Sequence, residues 1–108
     1  MFGFSLGPKN ITVHDAHATL GTEGHVLIDV RSREEVRDIG VPGAVNIPLD
    51  QLEAQAPRLA GYTSIHVMCR SGGRSAMAAN LLHGLGMTQV MNVSGGIIAW
   101  ENAGLPTT

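Results

Sequence analysis

The sequence predicts an α/β fold with a mostly parallel sheet that is covered by helices on both faces. Short, nearly continuous apolar runs are typical of strands buried on both sides, and helix-forming segments separate these runs. This alternation along a chain of 108 residues fits one domain, because a chain of this length buries a single core. We therefore expect one domain over residues 1–108, with loose ends at about the first eight residues and at the final "LPTT".

Two strands and three helices are predicted in the amino-terminal half. "NITV" at residues 10–13 is a short candidate strand, and "HVLIDV" at 25–30 is an apolar, β-branched run between Gly24 and a charged cluster, as buried strands often are. The predicted helices are "HDAHATL", "REEVRDI" and "DQLEAQAPRLA", at residues 14–20, 33–39 and 50–60. Pro57 should end or kink the third, because proline removes a helical hydrogen bond.

Two more strands and two helices are predicted in the carboxyl-terminal half. The strands are "SIHVM" at residues 64–68 and "TQVMNV" at 88–93, and the helices are "RSAMAANLLHGLG" at 74–86 and "GIIAWENAG" at 96–104. Apolar side chains at helical spacing form a stripe on the first of these helices: Met77, Ala78, Leu81, Leu82 and Leu85. Residues 76–100 contain no Lys, Arg, Asp or Glu, and we interpret them as buried core.

The composition argues against several classes of partner. Nine acidic and seven basic residues give a net charge of -2, which is unfavourable for binding nucleic acid or an anionic membrane. The chain has no apolar run long enough for a membrane span, and "MFGFSLGPKN" lacks the features of a signal peptide. A cytoplasmic location is therefore expected, and one cysteine excludes a disulfide within the chain.

Polar motifs follow three of the predicted strands. "DVR" lies at residues 29–31, "CRSGGRS" at 69–75 and "SGG" at 94–96. Ligands of open parallel sheets bind beyond the carboxyl ends of the strands. We therefore expect the three motifs to meet at one rim of the sheet.

The lone cysteine, Cys69, stands between a strand end and a glycine-bearing turn. Gly72 and Gly73 follow it, and a helix is expected to start at about Arg74. A turn of this kind directs consecutive N–H groups inward and forms an anion site at the helix start. Cys69 is thus predicted to be a reactive thiolate rather than a structural core residue.

An energy comparison indicates what the thiolate requires. A thiol with a pKa of about 8.5 is only about 3% ionised at pH 7. Lowering that pKa by about two units takes roughly 2.7 kcal/mol, whereas a helix N-terminus supplies about 0.3–1 kcal/mol. We therefore expect several N–H hydrogen bonds and the positive charges of Arg70 and Arg74 to supply the remainder.

The length of the loop distinguishes two reaction classes. Cysteine phosphatases separate their cysteine and arginine by five residues, which makes a loop wide enough for a tetrahedral phosphate. Four residues separate Cys69 from Arg74. The shorter loop favours attack on sulfur.

Four segments together resemble the single-domain rhodaneses, which are thiosulfate sulfurtransferase-like proteins. The segments are "LIDVRSREEV", "VPGAVNIPLDQL", "VMCRSGGRSAMAANLL" and "VMNVSGGIIAWENAGLP", and their combination is more specific than any one of them. The resemblance covers about residues 10–106. It implies a three-layer fold whose central parallel sheet has about five strands.

The resemblance also implies a role for each residue of the loop. Cys69 matches the cysteine that takes a sulfane sulfur from a donor such as thiosulfate and becomes a persulfide, from which a cyanide, thiol or protein acceptor removes the sulfur. The rest of the loop matches the cradle that holds this sulfur and favours anionic donors: Arg70, Ser71, Gly72, Gly73, Arg74 and Ser75. Asp29 and Arg31 match a supporting motif. No metal or other cofactor is implied.

One segment departs from the family pattern. Where many relatives read "GHIPGA", this chain has Ile39 and Gly40 in place of the glycine and histidine. Any contact that the histidine would make at the rim is therefore in question, whereas the nucleophile is unaffected.

Three other functions remain open from the sequence. The protein could be a sulfur carrier or persulfide-binding module that serves one protein partner, with slow turnover of small donors. A cysteine phosphatase or arsenate reductase is disfavoured by the four-residue spacing. A catalytically silent interaction domain is disfavoured by the intact loop.

Overall fold

The computed structural model describes residues 7–108. Two predictions concern the amino terminus: a loose end at about the first eight residues, and the absence of a signal peptide in "MFGFSLGPKN". Most of both segments lies in residues 1–6, outside the described residues. The elements along the chain are β1 (Lys9–Ile11), α1 (Val13–Thr19), β2 (His25–Asp29), α2 (Arg33–Asp38), β3 (Val45–Asn46), α3 (Leu49–Gln55), a 3-10 helix (Ala56–Leu59), β4 (Ser64–Met68), α4 (Gly73–Gly84), β5 (Val90–Val93) and α5 (Gly96–Asn102).

The strands form one five-stranded sheet in the order β1-β5-β4-β2-β3. Every pairing is parallel, and the register places Val26 beside Ile65 and Ile65 beside Val90. The predicted α/β class and the expected number of strands are therefore confirmed.

Helices cover both faces of the sheet, and each face has its own apolar core. Leu52 of α3 and Leu82 of α4 pack with Ile28 and Val67 on one face. The other face is formed around Trp100 of α5, which is fully buried and packs with Val13, Leu27 and Met68. Successive strand residues alternate between the two cores, as the pleat of a strand requires.

The local predictions differ from the structure mainly at short elements. β3 was not predicted from the residue pattern, because two residues at the sheet edge are too few to show a periodicity. Thr12 caps α1 by accepting a hydrogen bond from the N–H of Asp15, so the helix begins inside the segment predicted as a strand. Pro57 acts as expected, since α3 gives way to the 3-10 helix around it.

The predicted apolar stripe on α4 is wrong in part. Met77 is 63% exposed and Leu85 is 48% exposed. The buried face of this helix is instead formed by Ser75, Ala78, Ala79 and Leu82. Small side chains let α4 approach the sheet closely, so the helix turns its alanines inward and leaves Met77 and Leu85 at the surface.

The prediction of a loose carboxyl-terminal end is also wrong. Thr108 donates its N–H to the Gly40 carbonyl at 2.8 Å and accepts the Gly40 N–H on its hydroxyl at 3.0 Å. Trp100 Nε1 donates to the carbonyl of Pro106 at 2.8 Å. The segment after α5 is therefore tied to the core and to the residues that follow α2.

No helix within residues 7–108 combines the length and apolar character needed to cross a membrane.

A buried histidine lies in β4, away from the rim to which the strands point. His66 is 3% exposed, its Nε2 lies 2.9 Å from the Ser64 hydroxyl, and its ring meets the edge of His25. Burial lowers the pKa of His66, and the charge of His25 lowers it further. Since the neutral ring is the form that suits this site, protonation should oppose folding.

We predict that His66 makes the stability of the protein depend on pH. The unfolded chain, in which the histidine pKa is about 6.5, binds more protons in mild acid than the folded one. The free energy of unfolding should therefore be highest above that pH and decline as pH falls towards 5. Urea unfolding of His66→Gln between pH 5 and 7.5 should give a flatter curve. An exposed control, His14→Gln, should keep the wild-type slope, and the same slope in His66→Gln would contradict the prediction.

Candidate active site

The carboxyl ends of β2, β4 and β5 meet at one rim, as the sequence predicted. These strands are neighbours in the sheet, and backbone bonds continue past their ends. The Val30 N–H donates to the carbonyl of Met68 at 3.0 Å, and the Ile97 N–H donates to the carbonyl of Cys69 at 2.9 Å. The three polar motifs are thereby held side by side.

The loop after β4 closes around the sulfur of Cys69. The Cys69 Sγ accepts a hydrogen bond from the Gly72 N–H at 3.0 Å and one from the Ser75 hydroxyl at 3.3 Å. Gly72 has a φ of 119°, a left-handed conformation that glycine adopts without strain. Cys69 and Ser75 are buried, Gly72 and Arg74 are half-buried, and the exposed members of the loop are Arg70, Ser71 and Gly73.

Two opposing effects set the pKa of Cys69. Burial is the largest and raises the pKa, because it penalises the thiolate. Hydrogen bonds from the Ser75 hydroxyl and from the backbone N–H groups of Ser75, Gly72 and Ser71 lower it. The hydrogen bonds prevail, and the pKa of the thiol lies below its ordinary value.

Arg74 stabilises the thiolate less than the sequence suggested. Its Nη1 and Nη2 bind Glu35 Oε1 and Oε2 at 2.7 and 2.9 Å, so its charge is already balanced. The hydrogen bond to Glu35 raises the pKa of Arg74, and the charge of Cys69 has a smaller effect in the same direction. The same hydrogen bond is the main cause that lowers the pKa of Glu35 to about 2.

Glu35 is a site residue that the sequence analysis missed. Besides binding Arg74, its carboxylate accepts the N–H of Ser32 at 3.2 Å, and the Ser32 hydroxyl accepts the N–H of Glu35 at 3.2 Å. This reciprocal pair is a capping box at the start of α2. The spacing "SREE" is a recognisable signal for the box, although not for the contact with Arg74.

The first turn of α5 binds the backbone of the loop that carries Cys69. The N–H groups of Ile97 and Ile98 donate to the carbonyls of Cys69 and Arg70 at 2.9 and 3.1 Å. Gly96 has a φ of 57°, and a Cβ at this position would collide with both carbonyl oxygens. The "SGG" motif thus permits a backbone contact that no other residue type could make without displacing the loop.

Asp29 and Arg31 form a buried pair beside the loop. Arg31 Nη2 lies 2.8 Å from Asp29 Oδ2, and both residues are at most 2% exposed. Arg31 Nη2 also donates to the carbonyl of Ile39 at 2.7 Å. At the segment that departs from the family pattern, the backbone carbonyl of Ile39 thus accepts a hydrogen bond from this pair.

Asn46 was also missed by the sequence analysis. Its Nδ2 donates to the carbonyls of Asp29 and Arg31 at 2.9 and 3.0 Å. It follows that β3, although only two residues long, fixes the backbone on both sides of Val30.

A cleft of about 280 Å³ opens beside the loop between α2 and α5. Cys69 does not line it, and Arg70 is the loop residue on its wall. Its lining residues are Arg31, Glu35, Asp38, Ile39, Arg70, Ile97, Ile98 and Glu101. Over residues 7–108, no group of three His, Cys, Asp or Glu side chains lies close enough together to hold a metal ion.

The family model of the rhodanese-like domain matches residues 12–103. Thiosulfate sulfurtransferase 16, a chloroplastic protein of Arabidopsis thaliana, is 36% identical over 112 residues, which cover 93% of this chain and 92% of that protein. Two longer relatives are matched in part. The chain is 39% identical to the putative sulfur carrier protein YrkF of Bacillus subtilis (68% of this chain, 40% of YrkF) and 33% identical to the adenylyltransferase and sulfurtransferase UBA4 of Meyerozyma guilliermondii (89% of this chain, 26% of UBA4).

A solved structure from Rhodopseudomonas palustris has the same fold. It is a protein of unknown function described as a possible tyrosine phosphatase, and it superposes with a TM-score of 0.86 at 28% identity over 94% of this chain and 85% of that one. The domain match spans most of the chain, and the single cysteine stands in its loop at the sheet rim. This chain belongs to the rhodanese-like domain family, whose sulfurtransferases are among its relatives.

Proposed function

We propose that the protein transfers a sulfane sulfur from a small anionic donor such as thiosulfate to a thiophilic acceptor through a persulfide on Cys69. The observation that carries this proposal is the convergence of N–H and O–H donors on the Cys69 Sγ. These donors lower the pKa of the thiol and surround the position at which an anionic sulfur would be held.

In the first step the Cys69 thiolate attacks the outer sulfur of thiosulfate. A new S–S bond forms on Cys69, and the bond between the two donor sulfurs breaks. Sulfite leaves with the electron pair of that bond, so charge and electrons balance without a cofactor. The exposed guanidinium of Arg70 would attract the dianion, since Arg74 is already paired with Glu35.

In the second step an acceptor nucleophile attacks the outer sulfur of the persulfide. The S–S bond to Cys69 breaks and the thiolate is regenerated, in a two-stage covalent cycle. These 108 residues hold one cysteine, so no second thiol among them can resolve the persulfide. Cyanide or an external thiol would accept the sulfur.

Asp29 and Arg31 support the site through the backbone in this proposal. Their buried pair joins the end of β2 to the carbonyl of Ile39. A positioning role fits this geometry, because Nε and Nη2 of Arg31 donate to protein groups. A cytoplasmic location stays a prediction from the sequence.

A sulfur-carrier role is the second candidate, and the likeness to YrkF favours it. A carrier would load Cys69 from a persulfidated protein much faster than from thiosulfate. A comparison of two rates distinguishes the enzyme from the carrier: steady-state turnover of thiosulfate and cyanide, and single-turnover transfer from such a donor protein. Hydrolysis of an aryl phosphate that depends on Cys69 would instead favour a phosphatase.

We predict that Cys69→Ser abolishes sulfur loading and transfer. Wild-type protein treated with thiosulfate should gain the mass of one sulfur atom, and the variant should gain none, since an alkoxide is not available at neutral pH. Transfer to cyanide should fall at least about a thousand-fold. A control change outside the loop, Thr88→Ser, should load normally. Full transfer by Cys69→Ser would refute the assignment, and a wild-type protein that takes up sulfur neither from thiosulfate nor from a persulfidated donor protein would point to a silent interaction domain.

We predict that Ser75→Ala raises the pKa of Cys69, because the variant loses the side-chain hydrogen bond to the thiolate. Alkylation by iodoacetamide should slow about two- to thirteen-fold at pH 7, as expected for one lost hydrogen bond of about 0.5–1.5 kcal/mol. The midpoint of the alkylation–pH curve should move to higher pH. Ser71→Ala is the matched control, because Ser71 acts through its backbone N–H and its midpoint should stay in place. Equal midpoints for Ser75→Ala and wild type would contradict the prediction.

We predict that Glu35→Gln strengthens donor binding. The change removes the charge that balances Arg74, while glutamine can still complete the capping box. The KM for thiosulfate should fall about two- to five-fold at low ionic strength, and the gain should shrink in salt. Glu34→Gln is the control for net charge, since Glu34 is an exposed neighbour on α2. A KM that falls equally in both variants would indicate a general charge effect and exclude a specific release of Arg74.

A further inference from the structure

Helix α4 leaves a strip of apolar side chains on the surface. Met77 is 63% exposed, and Leu85, which caps the helix, is 48% exposed. Leu81 lies between them at i+4 spacing and is partly buried against the core. Within residues 7–108, the one other large apolar side chain that is exposed is Val45 on β3. The proposed sulfur transfer has no role for this strip of Met77, Leu81 and Leu85.

The surface around the strip carries no formal charge. With histidine neutral the whole chain has a net charge of -2, yet residues 76–100 contain no Lys, Arg, Asp or Glu. At the start of the helix Arg74 is paired with Glu35, so these two charges balance each other. A partner with a charged surface would lose hydration here and gain no ion pair. A second copy of the same face avoids this cost, because neither side brings a charge.

The strip is also complementary to itself. Met77 and Leu85 are each four residues from Leu81, so in an antiparallel pair of α4 helices that cross at Leu81, Met77 of each copy faces Leu85 of the other. A two-fold interface requires this kind of self-complementary spacing. Gly84 is exposed, and a Cβ at this position would meet nothing within 4 Å. The flexible side chain of Met77 can fill this open space.

The length of α4 limits the strength of such a dimer. Its 12 residues span about 18 Å, at about 1.5 Å per residue. Stable interfaces bury about 1,200–2,000 Å² in total, and a single pair of short helices covers less. The dimer is therefore expected to be weak, with a population that depends on protein concentration.

We infer that α4 is the interface of a weak, two-fold symmetric dimer of this chain, in which the two α4 helices pair antiparallel through Met77, Leu81 and Leu85. The antiparallel arrangement places the end of α4 in one copy beside the start of α4 in the other, where Gly73 and Arg74 belong to the cysteine loop. Each copy thus flanks the loop of its partner. The inference is independent of sulfur transfer, since it concerns a surface outside the loop.

Sedimentation equilibrium at protein concentrations of about 10–500 µM tests the inference, because a small interface dissociates in this range. The wild-type protein should pass from monomer to dimer, and its dissociation constant should change little with salt, since the interface is uncharged. Met77→Lys and Leu85→Glu should each raise the dissociation constant at least about ten-fold. An equimolar mixture of the two variants should restore dimers, because the antiparallel pair sets the new ammonium group against the new carboxylate. These mixed dimers should weaken in salt.

The matched control is Val45→Lys, which adds the same charge at the exposed apolar side chain of β3 and should dimerise as the wild type does. Thermal unfolding followed by circular dichroism checks that each variant keeps its fold. A wild-type protein that stays monomeric over the whole range would overturn the inference, and so would a dimer that survives both α4 substitutions. Loss of dimers in both variants without recovery in the mixture would overturn the antiparallel arrangement.

Discussion

The burial of an anionic sulfur is the constraint on which the rest of the site depends. A thiolate loses hydration when it is enclosed, and burial alone would hold Cys69 in its neutral form. Donors must therefore replace water, and the loop supplies them from the Gly72 N–H and the Ser75 hydroxyl. The loop can curl this tightly because Gly72 adopts a positive φ.

The backbone carbonyls of the curled loop need hydrogen-bond donors, and α5 supplies them. The carbonyls of Cys69 and Arg70 accept the N–H groups of Ile97 and Ile98, in the first turn of α5. Since these N–H groups would otherwise lack partners at the helix start, one contact satisfies both segments. The absence of a side chain at Gly96 lets the two backbones meet. Trp100 of α5 is buried in the core. Its packing positions α5, and α5 in turn positions the loop.

The three arginines at the site differ in their ion pairs and therefore in their roles. Arg31 is buried against Asp29 and organises the backbone, and Arg74 joins the loop to Glu35 at the start of α2. Arg70 is exposed and lines the cleft. Three arginines that look alike in the sequence therefore have different surroundings, and of the three only Arg70 has no ion pair within residues 7–108.

Local sequence patterns were enough to predict the alternation of strands and helices, the position of Cys69 at a strand end and the glycine-bearing turn that follows it. Each of these features depends on neighbouring residues, so a local pattern records it. Tertiary structure alone decided which face of α4 is buried, because i+4 spacing fits two adjacent faces equally well. It also decided that Glu35 binds Arg74, 39 residues away, and that Thr108 binds Gly40, 68 residues away. Partners so distant in sequence leave no periodic signal, since the folded sheet and not the local chain brings them together.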